Sequence, residues 1–225
     1  PNEASKHSRL LPLMVRVAAG LIVVVALGLG AANLSWSPKD RVYSTPIGGH
    51  EAISFADGSR IELNTNTIVR ARMTTDQRLV WLEKGEAYFQ VKHDPAHPFV
   101  VMVGDHRVTD LGTKFVIQRG AKSVEVALLE GRAWFDRADK QAVSQTALLT
   151  PGDEVVATAQ SMSVAKKPVS ELATELSWRH GMLIFRGTTL ADAAAQFNRY
   201  NRRKLVVDDA KAAALKIDGR FPTNG

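Results

Sequence analysis

The chain contains no cysteine. Neither a disulfide framework nor a thiolate zinc site can therefore form, and stability must come from packing. Also missing is any long Lys/Arg-rich run interleaved with aromatic residues. The tightest basic group, Arg199 to Lys204, is short, which argues against nucleic acid as a partner. The formal net charge is +6. Setting aside Lys6, Arg9, Arg16 and Glu3 leaves an excess of about +4 over the rest of the chain, a mild imbalance spread among many acids.

What is present begins with an uncharged stretch, Val17 to Leu34. As a helix rising about 1.5 Å per residue it crosses most of a hydrocarbon core of roughly 30 Å. Lys6, His7, Arg9 and Arg16 crowd its N-terminal side, while Ser37-Pro38-Lys39-Asp40 follows it. The positive-inside bias makes 1–16 a cytoplasmic stub and 17–35 a transmembrane helix, with everything after Ser35 outside. A cleaved signal peptide with small residues at Gly28, Gly30, Ala31 and Ala32 is the competing reading, although the apolar run is long for a signal sequence. The chain opens on Pro1 and not Met, so further residues are expected upstream.

From His50 to about Val164, short alternating segments rich in Val, Ile, Phe and Trp are separated by turn residues. This spacing predicts a mainly β region over 40–165, an antiparallel β-sandwich or β-roll. Asp57-Gly58-Ser59, Glu83-Lys84-Gly85, Glu130-Gly131 and Pro151-Gly152-Asp153 are read as its turns. After Pro168 the pattern changes. VSELATELSW reads as a short helix and MLIF as a strand, and Thr189 with Asp192 matches a capping box opening a second helix. Leu190, Ala193, Ala194, Phe197 and Asn201 share one face of that helix, and Arg202, Arg203 and Lys204 at its end complement the macrodipole. KLVVD is then read as a strand closing a βαβ unit, with LKIDGRF as one more strand. Residues 168–225 thus form a small α/β domain, expected to be cut short at its C-terminus.

Several residue groups invite chemistry. His93, Asp94, His97 and His106 suggest a metal site, but Pro95 and Pro98 break the helical geometry such a pair needs, and no metal is assigned. Glu83, Glu86 and Glu130 resemble paired carboxylates, yet two of them precede turn glycines. Trp81, Phe89, Phe99, Phe115, Trp134 and Phe135 could line a carbohydrate groove; in alternating segments they read as core. Arg199, Arg202 and Arg203 suit either an acidic partner or a solvated helix end. The bond between Gly112 and Thr113 stands apart as a candidate catalytic pair. A β-hydroxyl directly after glycine can attack the preceding carbonyl, giving an ester by N-to-O acyl shift that water hydrolyses. The bland counterpart is a glycine turn.

Taken in order, DGSRIELNTNT (57–67), RLVWLEKGEAYFQV (78–91), HPFVV (97–101), LGTKFVI (111–117), VEVALLEGRAWF (124–135), LLTPGDEV (148–155) and WRHGMLIFRGTTLADAAAQFNRYN (178–201) resemble the FecR family. The resemblance implies a single-pass inner-membrane regulator with a cytoplasmic N-terminus and a periplasmic C-terminal region. In such proteins an anti-sigma segment and a membrane helix join a TonB-dependent siderophore receptor to an extracytoplasmic-function sigma factor. Residues 168–225 resemble part of the short N-terminal domain of secretins and TonB-dependent receptors. The implied partners are the receptor's signalling domain, the inner membrane, and a sigma factor held by a cytoplasmic segment expected upstream of Pro1; no cofactor is implied. Some members of the family cleave themselves at the Gly-Thr pair. Strand addition at Lys204 and Val206, or at Leu215 and Ile217, is the economical way for the receptor domain to bind, unless those strands pair only within the rest of their own domain. A rival reading from another class is a membrane-tethered periplasmic carbohydrate- or metal-binding β protein. Catalysis beyond one self-cleavage turnover is not expected.

Overall fold

A computed structural model of the chain describes residues 40–138 and 146–223. The expected cytoplasmic stub and transmembrane helix lie outside the described residues, among which no helix is long and apolar enough to cross a membrane. The β region contains β1 (Arg41–Ser44), β2 (Glu51–Ser54), β3 (Arg60–Leu63), β4 (Ile68–Met73), β5 (Arg78–Gln90), β6 (Phe99–Val103) and β7 (His106–Asp110). It continues with β8 (Lys114–Arg119), β9 (Ser123–Glu130), β10 (Ala133–Arg137), β11 (Ala147–Leu149), β12 (Asp153–Thr158) and β13 (Met162–Lys166).

The long strand β5 organises all of them. Its first half pairs with β4 and with β6, and from there the sheet runs through β7 and β10 to β11. Its second half pairs with β3 and β8, and that sheet runs through β9 and β12 to β13. Two sheets thus share one strand, and β5 with β6 is the single parallel pair among the described residues. The mainly β, largely antiparallel expectation agrees with this arrangement.

Glu83-Lys84-Gly85 is not a turn, contrary to the sequence reading. β5 runs through it. Opposite β4, the register steps from Lys84 to Leu82, leaving Glu83 as an extra residue in a bulge. One extra residue flips the faces. Val80 and Leu82 point into the core before it, and Ala87 and Phe89 after it, so the inward positions change parity where the strand passes between sheets. Gly85 allows the passage: its φ is +86°, and a Cβ there would stand 2.3 Å from Thr67 Oγ1. Bulges and turns call for the same glycine, and only the partner strands decide between them.

Between the sheets lies one apolar core. Phe89 stacks on Phe115 with centroids 4.8 Å apart, and meets Phe99 edge-on at 6.4 Å. Phe135 is equally buried, with the His106 ring stacked against it. Trp134 and Trp81 depart from the core expectation. Trp134 is 48% exposed, and Trp81 lies under the guanidinium of Arg70, 4.0 Å from its ring.

The C-terminal elements are α1 (Val169–Glu175), a 3-10 turn (Leu176–His180), β14 (Met182–Thr189), α2 (Leu190–Tyr200), α3 (Ala210–Ala213) and β15 (Lys216–Pro222). Thr189 caps α2 by accepting the amide of Asp192 at 3.1 Å, while its hydroxyl donates to the Asp192 carboxylate at 2.6 Å. The expected βαβ unit is corrected here. β14 and β15 pair antiparallel, and 201–207 carries no strand. The segment instead finds its hydrogen bonds on a side chain: Leu205 donates to Asn198 Oδ1 and accepts from Asn198 Nδ2. A local partner has replaced the ladder.

Candidate functional site

Two places in the fold concentrate unusual chemistry: the crossing between β7 and β8, and the outer face of the second sheet. At the crossing the chain leaves Asp110 at the end of β7, passes Leu111, Gly112 and Thr113, and enters β8 in the other sheet. The segment is clamped from both sides. Asp94 donates its amide to Leu111 O at 3.0 Å, and Val91 donates to Thr113 O at 2.9 Å. Gly112 takes φ +145°, and a Cβ on it would stand 2.5 Å from His93 Cα and 2.8 Å from His93 Nδ1. No other residue fits. Gly131, where the chain crosses back from β9 to β10, lies against the same bond; its Cβ would fall 2.5 Å from Thr113 Cγ2 and 2.9 Å from Gly112 O.

Sequence reasoning singled out Gly112 and Thr113 but missed Asp110, which the structure places with them. Asp110 is fully buried, and its Oδ1 accepts the Gly112 amide at 2.9 Å. Its Oδ2 and the buried Thr113 Oγ1 have no hydrogen bond of regular geometry. Burial pushes the Asp110 carboxyl up. The Gly112 amide, the Thr113 hydroxyl and the amides of Leu111 and Thr113 pull the other way without cancelling that push. An acid two residues before a Gly-Thr pair is the signal that could have found it.

Of the other candidate groups only His93 and Asp94 flank the crossing. His97 binds Asp94 at 2.9 Å in the β5–β6 loop, whereas His106 packs in the core. Glu83 pairs with Arg70 and Glu130 with Lys114, each at 2.9 Å.

On the outer face of the second sheet, alternation places Glu62, Glu86 and Tyr88 outward while Ile61, Leu63, Ala87 and Phe89 point inward. Those outward residues are nonetheless buried, because the C-terminal elements cover them. Arg179 makes a two-pronged contact with Glu62, at 2.7 and 3.0 Å, and lies 3.7 Å from the Tyr88 ring centroid. Arg199 binds the Glu86 carboxylate and Gln118 Oε1, and Thr65 Oγ1 donates to Arg199 O at 3.1 Å. Asn64 Nδ2 donates to both Glu86 Oε2 and Tyr200 Oη, at 3.0 and 2.8 Å. Tyr88, Leu176, Trp178, Leu183, Phe185, Ala193 and Tyr200 form a second apolar core beneath these pairs.

Burial alone would raise the Glu62 carboxyl, but the Arg179 hydrogen bonds and charge outweigh it and hold the group below its usual range. Burial pushes the Tyr200 hydroxyl up to about 12, with the Glu86 charge adding to the effect. The folded state therefore favours neutral Tyr200, a contribution complete below pH 10.0 and lost as pH rises towards about 12. We expect the seam to lose about 2 kcal/mol across that window. Tyrosinate absorbance should show a late phase that Tyr200→Phe diminishes, the remainder belonging to Tyr88, whose hydroxyl burial also pushes up; all tyrosines ionising together near pH 10, with the fold intact, would contradict this.

The remaining candidate residues are scattered. Lys204 Nζ donates to the carbonyls of Asn198 and Asn201, closing the end of α2 and bearing out the macrodipole expectation. Lys204 and Val206 lie on no strand edge, which corrects that assignment; Val206 is 75% exposed. Leu215 precedes β15 and is exposed, while Ile217 sits in β15 opposite Thr188 and packs on the second core. Among the described residues, β14 and β15 each have one edge without a partner strand. Arg199, read as a solvated helix end or partner contact, is held by Glu86 within the fold.

No curated protein matches the chain. Two crystal structures, at 1.65 and 2.50 Å, of a candidate anti-sigma factor from Parabacteroides distasonis ATCC 8503 share the fold. Their TM-scores are 0.66 and 0.64 at 22% identity, over 82% and 83% of this chain and 86% of each of theirs. Residues 41–134, which run from β1 into β10 and include the Gly112-Thr113 crossing and the shared strand β5, match the FecR protein family. Over that stretch the chain is similar to FecR proteins.

Proposed function

We propose that the chain is a signal relay of the anti-sigma type, anchored in the inner membrane by a helix over 17–35, with a cytoplasmic N-terminus and residues 40–225 in the periplasm. It couples a TonB-dependent siderophore receptor to an extracytoplasmic-function sigma factor. The observation that carries this reading is the FecR match over 41–134. The likeness to the Parabacteroides structures and the uncharged run after a basic flank support it. A relay also needs a rigid body to receive a partner. The C-terminal elements suit that role, since two Arg–Glu pairs fasten them to the β-sandwich while β14 and β15 each keep a free edge among the described residues.

The test is transcription of a sigma-dependent reporter in cells carrying the full-length gene. Siderophore should switch the reporter only when receptor and chain are both present. An unchanged response after deletion of the gene would reject the relay. A periplasm-dependent enzyme fused after Gly225 should be active and remain with the membranes after high-salt washing. Release of a soluble form beginning near Ala32 would reject the anchor.

The same reading includes one turnover of self-cleavage between Gly112 and Thr113 by N-to-O acyl shift and hydrolysis. Its support is a Thr113 hydroxyl buried without a regular hydrogen bond, next to the carbonyl of a residue with no side chain of its own.

A further inference from the structure

The geometry points to Asp110 as the general base of the Gly112-Thr113 rearrangement, and as the acid that returns the same proton to the Thr113 nitrogen. This inference rests on the self-cleavage reading and adds to it the group that moves the proton. A threonine hydroxyl is a poor nucleophile unless a base takes its proton as it attacks. Here the carboxylate lies within the same short crossing. Its Oδ1 is engaged by the Gly112 amide, and its Oδ2 is free of regular hydrogen bonds, as is Thr113 Oγ1; all are closed off from solvent. Buried polar atoms left without partners are uncommon and call for an explanation. Two of them on facing groups, one an acid and one a nucleophile, share one.

The Gly112 amide donates to this carboxylate at 2.9 Å, and the amides of Leu111 and Thr113 add to the stabilisation of its charge. One group is thus in reach of both the hydroxyl that gives up a proton and the nitrogen that must receive one. In the first step Thr113 Oγ bonds to the Gly112 carbonyl carbon, its proton passes to Asp110, and the carbonyl electron pair moves onto oxygen. In the second, that pair restores the carbonyl, the carbon–nitrogen bond breaks, and Asp110 protonates the departing nitrogen. The product is an ester between Gly112 and the Thr113 side chain, with a free amino group on Thr113. One water then splits the ester into a Gly112 carboxyl group and the Thr113 hydroxyl, and Asp110 ends as it began.

The surroundings favour this role. In its sheet, Asp110 stands between Phe99 and Ala133, so neither neighbour in the ladder carries a charge. The titratable and charged groups on adjoining elements are Lys92, His93 and the Asp94–His97 pair in the β5–β6 loop, Arg78 that donates to the carbonyls of that loop, Arg132 before β10, and the Lys114–Glu130 pair after the crossing. Burial raises the Asp110 carboxyl, which brings its proton affinity closer to what an exchange near neutral pH requires.

The experiment follows the full chain made by cell-free synthesis in detergent, with fragments quantified on denaturing gels over time. Asp110→Asn should slow fragment formation by at least about 100-fold while near-ultraviolet circular dichroism stays native. A folded Asp110→Asn chain that cleaves within roughly threefold of wild type overturns the assignment. Should the variant fail to fold, the pH profile of the wild-type rate decides. With Asp110 as base, the rate climbs about tenfold per pH unit and levels off once the carboxyl is ionised. A rate still climbing at about pH 9 identifies hydroxide as the base and overturns the assignment. A wild-type chain that stays intact removes the self-cleavage reading itself and this inference with it, an outcome distinct from cleavage that ignores Asp110.

Discussion

Thr113→Ala is expected to run as one full-length band on a denaturing gel, where the wild-type chain gives two bands of nearly equal length. The variant lacks the only hydroxyl one bond beyond the Gly112 amide, so no ester can form. Thr113→Ser keeps a hydroxyl and should still cleave. Native chromatography should nonetheless show one species for wild type. The break falls between β7, which is paired with β6 and β10, and β8, which is paired with β5 and β9. Each fragment therefore stays hydrogen-bonded to strands of the other across the core. Wild-type protein that remains one band after long incubation would leave Gly112-Thr113 as a structural crossing and nothing more.

The second large effect concerns the seam. Arg199→Ala leaves the Glu86 carboxylate buried against Asn64 and Tyr200 without its cation, and removes the bond to Gln118. Truncating one partner of a buried pair costs about 3–5 kcal/mol. Because the Arg199 side chain keeps 24% exposure, the lower end applies. Limited proteolysis should then release the segment after Lys167, while Arg202→Ala, which alters an exposed residue on the same helix end, should leave the digestion pattern unchanged. Replacing both Glu86 and Arg199 with leucine should recover much of the loss, since no charge is then stranded. Equal resistance of the wild-type and Arg199→Ala chains would mean that apolar packing alone holds the seam.

Much of the β-sandwich was legible because alternation and turn residues are local signals. Asp57-Gly58-Ser59 does turn between β2 and β3, with Phe55 donating to Ser59 O at 2.9 Å. What failed depended on partners distant in sequence. Glu83-Lys84-Gly85 has the composition of a turn, and becomes a bulge because β4 and β8 claim the two halves of one strand. Lys204 to Val207 has the apolar, β-branched composition of a strand but pairs with no strand among the described residues, and Asn198 supplies the hydrogen bonds of Leu205 instead. At the seam, alternation sets Glu62 and Glu86 on the face away from the core, and nothing nearby reveals that Arg179 and Arg199 arrive to cover them. For the crossing, glycine before threonine was visible. The acid two residues earlier acquires meaning only when burial of both groups is known.

Glu86 and Arg199 are 113 residues apart in the chain. At a synthesis rate of about 5–20 residues per second, the guanidinium emerges roughly 2–7 s after Lys166, which ends β13, the last strand of the second sheet. Domains of this size complete much of their folding in that time. The sandwich can therefore close while the outer side of its second sheet is still wet, with Glu62, Glu86 and Tyr88 solvated and the C-terminal elements unmade. The nascent chain passes through a stage in which this acidic and aromatic strip faces water and is open to any cationic surface nearby. Its own α2 must then displace whatever has settled there before the last turn of that helix can be secured.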